Sequence, residues 1–264
     1  MTARLREAGI SVAVFAALVG LWYLIAWIVD PGNALGTSSK LPYPHRIIQR
    51  IVDYPGTFAE ATWTTIGRAL IGFAIGSAAG FLISIVMVQG RWVEGALMPY
   101  VLGAQMVPLV ALIPIARSVF RDDASTRIFM AAFVTFFSVV VASVRGLRSA
   151  PPEAIELMRS YSAGRVKSLR YLNLPASLPF LFSGLRIAAP LSLVGAIVVD
   201  LMGAQNGLGY LMLSAITFGP AQFPILWAAM VITLVLGFVL SQTVQLAERL
   251  LTPWQLGLRG EENV

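Results

Sequence analysis

The sequence predicts an all-α integral membrane protein with about six spanning helices, and three observations predict it. Of its 264 residues, 57% are apolar and only 12% are charged, where soluble domains run at about 45–50% and about 25%. Its mean hydropathy is +0.77. Its apolar residues also gather into six stretches, each close to the roughly 20 residues that a helix needs to cross hydrocarbon. These are 9–29, 61–88, 95–116, 125–145, 178–202 and 224–247. The 19 basic residues outnumber the 13 acidic ones. On a polar fold that excess would suit nucleic acid; on this apolar one it reads as Lys and Arg beside membrane helices, so the bilayer is the expected partner and no nucleic acid is. The absence of cysteine excludes disulfides, thiolate metal sites and cysteine nucleophiles.

The first stretch follows Arg4 and Arg6. It is longer than a signal-peptide core and no small-x-small cleavage site follows it, so it is expected to remain as a span. The segment 41–54, LPYPHRIIQRIVDY, is too short and too charged to span. Its Ile47, Ile48, Ile51 and Val52 recur at helical spacing, which predicts an amphipathic helix at the outer interface. In the second span Gly72, Gly76 and Gly80 share one face. That ladder permits close backbone approach, inside the subunit or across a dimer. Pro99, Pro108 and Pro114 interrupt the third span, and Pro179 and Pro190 the fifth. Kinked spans are tolerated where neighbours satisfy the freed backbone, and such places often line a pathway. No internal repeat or low-complexity tract divides the chain, so residues 1–264 read as one membrane domain.

Orientation follows from counting basic residues. With the N-terminus inside, Arg4, Arg6, Arg91, Arg145, Arg148, Arg159, Arg165, Lys167, Arg170, Arg249 and Arg259 are cytoplasmic. Lys40, Arg46, Arg50, Arg117, Arg121 and Arg127 are then outside, and Arg68 and Arg186 fall within spans. The bias places both termini in the cytoplasm.

No catalytic cluster and no metal set is recognisable. His45 is the single histidine, without neighbouring ligands, and reads as a surface residue. A phosphate loop needs Gly-Lys-Ser/Thr, and neither Lys40 nor Lys167 follows a glycine. The chain is therefore expected not to be an enzyme, and any ATP must be bound by another protein. Asp200 lies near the outer end of the fifth span with no lysine or histidine partner evident in sequence. An intramembrane carboxylate is a functional candidate; a solvated or helix-capping role competes with that reading.

Residues 146–177 form the one substantial cytoplasmic loop, GLRSAPPEAIELMRSYSAGRVKSLRYLNLPAS. Pro151 and Pro152 suit a first helical turn, with Glu153 and Glu156 complementing the positive end of the helix dipole. Ala154, Leu157, Met158 and Tyr161 share one face. Ser162-Ala163-Gly164 ends the helix, Gly164 being free to turn left-handed. A water-exposed helix with an apolar face needs a partner, or else lies on the membrane surface.

This loop resembles the EAA signature of binding-protein-dependent ABC transporter permeases: Glu-Ala-Ala, three residues, Gly, nine residues, then Ile-x-Leu-Pro. Glu156 takes the Glu position, Ser162 the Gly position, and Leu172-Asn173-Leu174-Pro175 the closing run. Leu157-Met158 replace the alanines and Ser162 the glycine. Over roughly residues 40–250 further motifs are similar to the nitrate, sulfonate and taurine branch. They are Leu41-Pro42-Tyr43-Pro44, Thr62-Trp63-Thr64-Thr65 through Arg68, Ser183-Gly184-Leu185-Arg186, and the run from Leu201 to Leu211. The chain departs where relatives often carry Arg, at Gln105, and where they carry Trp-Phe-Gly, at Ala116 to Phe120.

The resemblance implies a type I ABC importer fold, with residues 153–164 as a coupling helix between the fourth and fifth spans. It implies a bacterial inner membrane, a second permease subunit (a homodimer being the simplest case), a cytoplasmic ATPase dimer that holds ATP and Mg, and an external solute-binding protein. This chain itself would hold no cofactor. Glu153, Ala154, Glu156, Leu157, Met158, Tyr161, Ser162 and Gly164 would contact the ATPase. Gln105, Met106, Pro108, Ser138 and Asp200 are candidates for the substrate path, and a helix-to-helix hydrogen bond competes with that role for the polar ones. The solute that the resemblance implies is a small anion, a vitamin precursor or an aromatic compound. The rival reading, a self-sufficient secondary transporter or channel driven by an ion gradient, needs intramembrane carboxylates or broken-helix ion sites and leaves the loop unexplained.

Overall fold

A computed structural model describes residues 2–29 and 41–252. Lys40 and Arg259, counted above for orientation, lie outside them, as do the side chains of Arg4 and Arg6. The helices are α1 (Thr2–Val29), α2 (Pro44–Asp53), α3 (Pro55–Met87), α4 (Arg91–Ala104), α5 (Leu109–Phe120), α6 (Asp123–Leu147), α7 (Pro152–Ser160), α8 (Arg165–Ser168), α9 (Leu174–Leu201), α10 (Leu208–Thr217) and α11 (Phe223–Leu251). A π-helical turn, Leu169–Asn173, joins α8 to α9. α3, α6, α11 and the run from α8 through α9 are each long and apolar enough to cross a membrane. The bent pair α4–α5 is together long and apolar enough to count as a fifth, as a broken span or a re-entrant loop. α1 has 28 residues, about 42 Å at 1.5 Å per residue, with its apolar part at Ala16–Val29.

α6 is the centre of the bundle, packed extensively on both α3 and α9, which also touch each other. Small residues make this possible. A Cβ added at Gly80 would stand 2.7 Å from the Phe136 carbonyl oxygen, and one at Gly72 2.9 Å from the Ala132 nitrogen. From α9, a Cβ at Gly195 would meet the Met130 carbonyl oxygen at 2.8 Å. The glycine ladder therefore works inside the subunit, letting backbones touch where lipid supplies no hydrophobic drive. α11 packs on α9 and α10, and Trp22 of α1 meets Trp227 of α11 edge-on at 5.3 Å between ring centres.

The sequence-predicted third span, 95–116, is not one helix. Its two halves, Arg91–Ala104 and Leu109–Phe120, meet at 96°. Pro108 has no N–H and disfavours helical geometry in the residue before it. The chain turns instead, with Met106 N–H donating to Gly103 at 3.0 Å. Pro99 and Pro114 stay inside their helices. α2 forms within the expected interfacial segment: Ile47 is buried while Ile48 and Val52 are exposed. His45 is exposed beside Tyr23, their Nδ1 and hydroxyl 2.9 Å apart. Asp122 caps α6, accepting from the Ser125 N–H at 2.7 Å, and that bond holds its carboxyl below the ordinary carboxylate range. Neither α8 nor α10 was legible as a separate helix in the sequence.

Candidate functional site

Three places hold the residues singled out from sequence. The first is the loop helix at one end of the bundle. α7 starts at Pro152, preceded by Pro151 in extended geometry, and carries Glu153 in its first turn. It ends in a Schellman arrangement: Ser162 N–H donates to Arg159 at 2.8 Å and Ala163 N–H to Met158 at 2.9 Å. The left-handed residue that this requires is Ser162, at φ 51°. Gly164, expected in that role, is extended (φ −64°, ψ 167°) and stands before α8. The helix is accordingly shorter than 153–164.

No residue of α7 is buried. Among the described helices of nine residues or more, α7 alone has none. The expected apolar face is split. Leu157 and Tyr161 are 55% and 76% exposed, beside the exposed Glu153 and Glu156, while Ala154 and Met158 are half-buried. Met158 and Ile155 instead line a cleft of about 420 Å³ shared with Gln89 after α3 and with Leu169 and Leu172 ahead of α9. Arg148 pairs with Glu94 of α4 at the start of the loop.

The second place is the bent pair. Gln105, Met106 and Pro108 at the break and Ser138 on α6 line one cavity of about 420 Å³. Four of the five path candidates thus come together; Asp200 does not.

Asp200 belongs to the third place, the end of the bundle opposite α7. It is fully buried and forms an ion pair with Arg127, itself 2% exposed. Thr65 of α3 donates its hydroxyl to Asp200 at 2.8 Å and accepts from the Leu208 N–H at 2.9 Å. Arg127 donates to the Asn206 carbonyl at 2.7 Å and to its side-chain oxygen at 2.8 Å. Gly207 has φ +102°, and a Cβ there would collide with the Asp200 carboxylate. Arg117 reaches the Met202 carbonyl at 2.7 Å and Asp123 at 2.9 Å, so a cation sits on the negative end of α9. A solvated Asp200 is thus ruled out. Arg127, counted as an outer-loop cation, is its buried partner. The missed signal was depth: both residues lie just inside the same end of two adjacent spans, where a buried charge needs an opposite one.

Long apolar helices, with a bent helix pair that has a cavity at its break, describe a multi-pass membrane protein. The chain belongs to the binding-protein-dependent transport system inner membrane components, whose family model matches residues 72–253. It is therefore the permease component of an ABC importer. It is 30% identical over 246 residues to a formylaminopyrimidine transport permease of Halalkalibacterium halodurans, covering 92% of this chain and 96% of that one. It is 32% identical over 243 residues to a putative aliphatic sulfonates transport permease of Escherichia coli, covering 89% and 92%. Its fold matches a chain in the crystal structure of an amino acid ABC transporter with a TM-score of 0.63 at 18% identity, over 76% of this chain and 97% of the other.

Proposed function

We propose that α7 is the helix by which this permease docks into a separate ATPase, and that solute passes the cavity beside the α4–α5 break. The observation that carries this is the exposure of α7, none of whose residues is buried by the described residues. Leu157 and Tyr161 would enter an apolar cleft of the ATPase, with Glu153 and Glu156 at its rim. Met158 and Ile155 would pass the motion inward, to the end of α3 and the lead-in to α9. Two ATPases that hold ATP and Mg would move the α7 helices of two permease copies, a homodimer, and an external binding protein would deliver the solute. The six basic residues from Arg145 to Arg170 support a cytoplasmic α7 and cytoplasmic termini in a bacterial inner membrane. The two relatives named above bracket the solute between a pyrimidine and a sulfonate.

The test is the double variant Leu157→Asp, Tyr161→Asp. Two carboxylates forced into an apolar cleft should lower co-purification of the ATPase by about thirtyfold or more. Membrane insertion and thermal unfolding of the permease should not change, because neither side chain is packed. Retained ATPase and ATP-driven uptake in that variant would overturn the reading. So would transport by the purified chain alone.

A further inference from the structure

The cavity at the α4–α5 break has a chemistry of its own. None of the residues lining it is charged. Its walls include Phe133 and Phe137 of α6, Met106 at the break and Leu191 of α9. Two polar side chains reach it, Gln105 and Ser138, and neither makes a hydrogen bond with any described residue. Its volume of about 420 Å³ falls in the range of organic-ligand pockets, about 300–1,000 Å³, and far exceeds the share of one water, about 30 Å³.

The aromatic wall continues beyond the cavity. Phe137 and Phe133 meet edge-on at 4.8 Å between ring centres. Phe129 follows at 6.1 Å from Phe133, and Phe120 of α5 at 5.3 Å from Phe129. Residues 129, 133 and 137 are four apart and so stack on one face of α6. This file of rings runs from the end of the bundle that holds Asp200 down to the cavity. Phe120 and Phe129 are exposed, Phe133 is half-buried and Phe137 is buried where it lines the cavity, so open ring surface runs from Phe120 to Phe133 and ends at the cavity wall.

We propose that the solute is an uncharged aromatic or heteroaromatic compound, which moves along the Phe120–Phe129–Phe133–Phe137 file and is oriented in the cavity by Gln105 and Ser138. This rests on the reading that the cavity lies on the pathway. An anion entering there would give up its water without meeting a cation, which is strongly unfavourable. A planar ring instead exchanges edge-to-face contacts from one phenylalanine to the next, and the Met106 thioether adds a polarisable wall. The file offers a series of similar stations, none of them deep, as passage requires. A carboxamide and a hydroxyl each both donate and accept, which complements a ring nitrogen beside an amino or carbonyl group. The start of α5 carries the positive end of that helix's dipole, which would favour an anion, so the test includes charged arms.

Full-length permease, purified with its ATPase in lipid nanodiscs, would be titrated calorimetrically with three probes. They are 4-amino-2-methylpyrimidine at mildly alkaline pH, where it is uncharged, benzenesulfonate and ethanesulfonate. Wild type should bind the pyrimidine saturably, benzenesulfonate more weakly and ethanesulfonate not at all. Phe133→Leu keeps the bulk and loses the ring, and should weaken the pyrimidine by about two- to tenfold; Gln105→Ala should weaken it similarly. Gln105→Arg should transfer the preference to benzenesulfonate. Either sulfonate bound as tightly as the pyrimidine, no saturable pyrimidine binding, or a Phe133→Leu, Gln105→Ala double variant that binds like wild type would overturn the proposal. Quantitative disulfide formation between two copies through Phe129→Cys would also overturn it, since a second subunit would then cover the file. ATPase association and its loss with Leu157→Asp, Tyr161→Asp are read separately, so a failed substrate class leaves the permease reading standing.

Discussion

The two ends of this bundle handle polar groups in opposite ways. At the end away from α7, Arg127, Asp200 and Thr65 are all buried, and each is held by partners from other elements. At the α7 end most charges are exposed or half-exposed, Glu248 of α11, buried and paired with Arg186 of α9, being the exception, and the unusual feature is apolar: Leu157 and Tyr161 point away from the protein. The first end spends its charge on joining α3, α6, α9 and the chain before α10. The second leaves Leu157 and Tyr161 uncovered by any described residue, as the proposed contact with another protein requires. In a membrane protein a buried ion pair is read first as function; here the pair ties α6 to α9, and the proposed docking contact lies on a helix with no buried residue.

The sharpest way to break that contrast is to remove one charge at each end. Arg127→Ala strands Asp200 inside the bundle and should cost about 3–5 kcal/mol, enough to lose folded protein from detergent extracts. Arg148→Ala removes a half-exposed partner of Glu94 and should cost about 1 kcal/mol or less. Thermal unfolding of the two variants side by side checks the difference. An Arg127→Ala protein as stable as Arg148→Ala would mean that Asp200 is not held as the contacts imply. Replacing Arg127 and Asp200 together by Met and Leu should recover most of the loss, because no unpaired charge remains.

A smaller contrast is drawn by adding one methyl group. At Gly76 a Cβ would collide with the Ala132 carbonyl of α6, so Gly76→Ala must separate α3 from α6 and should cost about 2 kcal/mol. At Gly164, in the α7 loop, nothing lies within 4 Å of an added Cβ and φ is negative. Gly164→Ala should stay within about 0.5 kcal/mol of wild type. Unfolding midpoints measured in one detergent decide it.

The same division explains what could be read in the sequence. Apolar run length placed α3, α6, α9 and α11, because bilayer thickness fixes how much chain a span needs. Pro108 marked an interruption, but an interruption in a hydropathy run has no angle, and the 96° bend comes from how α4 and α5 pack around it. Gln105, Met106, Pro108 and Ser138 were nominated one by one; that they share a cavity is a property of the α4–α5 and α6 arrangement. For Asp200 the sequence offers a solvated or a helix-capping role. The capping one holds, since its carboxylate accepts from the Gly209 N–H at 3.4 Å in the first turn of α10, but its cationic partner lies 73 positions away and only the packing of α6 on α9 brings the two together. On α7 helical spacing grouped Leu157, Met158 and Tyr161, whereas the cleft claims Met158 and leaves the other two outside.

The smallest effect bears on the α7 end itself. Ser162 takes the left-handed conformation at φ 51°, which costs an L-residue about 1 kcal/mol or more relative to glycine. It is also the position at which the EAA-type signature has glycine. The Schellman bonds from Ser162 and Ala163 need that conformation, so the strain is borne locally to end α7 where it ends. Ser162→Gly should relieve about 1 kcal/mol at the helix end without altering either bond. Because no residue of α7 is fully buried, little of the relief should reach the bundle, and the unfolding midpoint of the whole protein should barely move. Amide hydrogen exchange over residues 158–163 should slow instead, by about fivefold for 1 kcal/mol of local stability. A rise in the global midpoint with no local slowing would mean that α7 unfolds together with the bundle, and the proposed independence of the two ends would be lost.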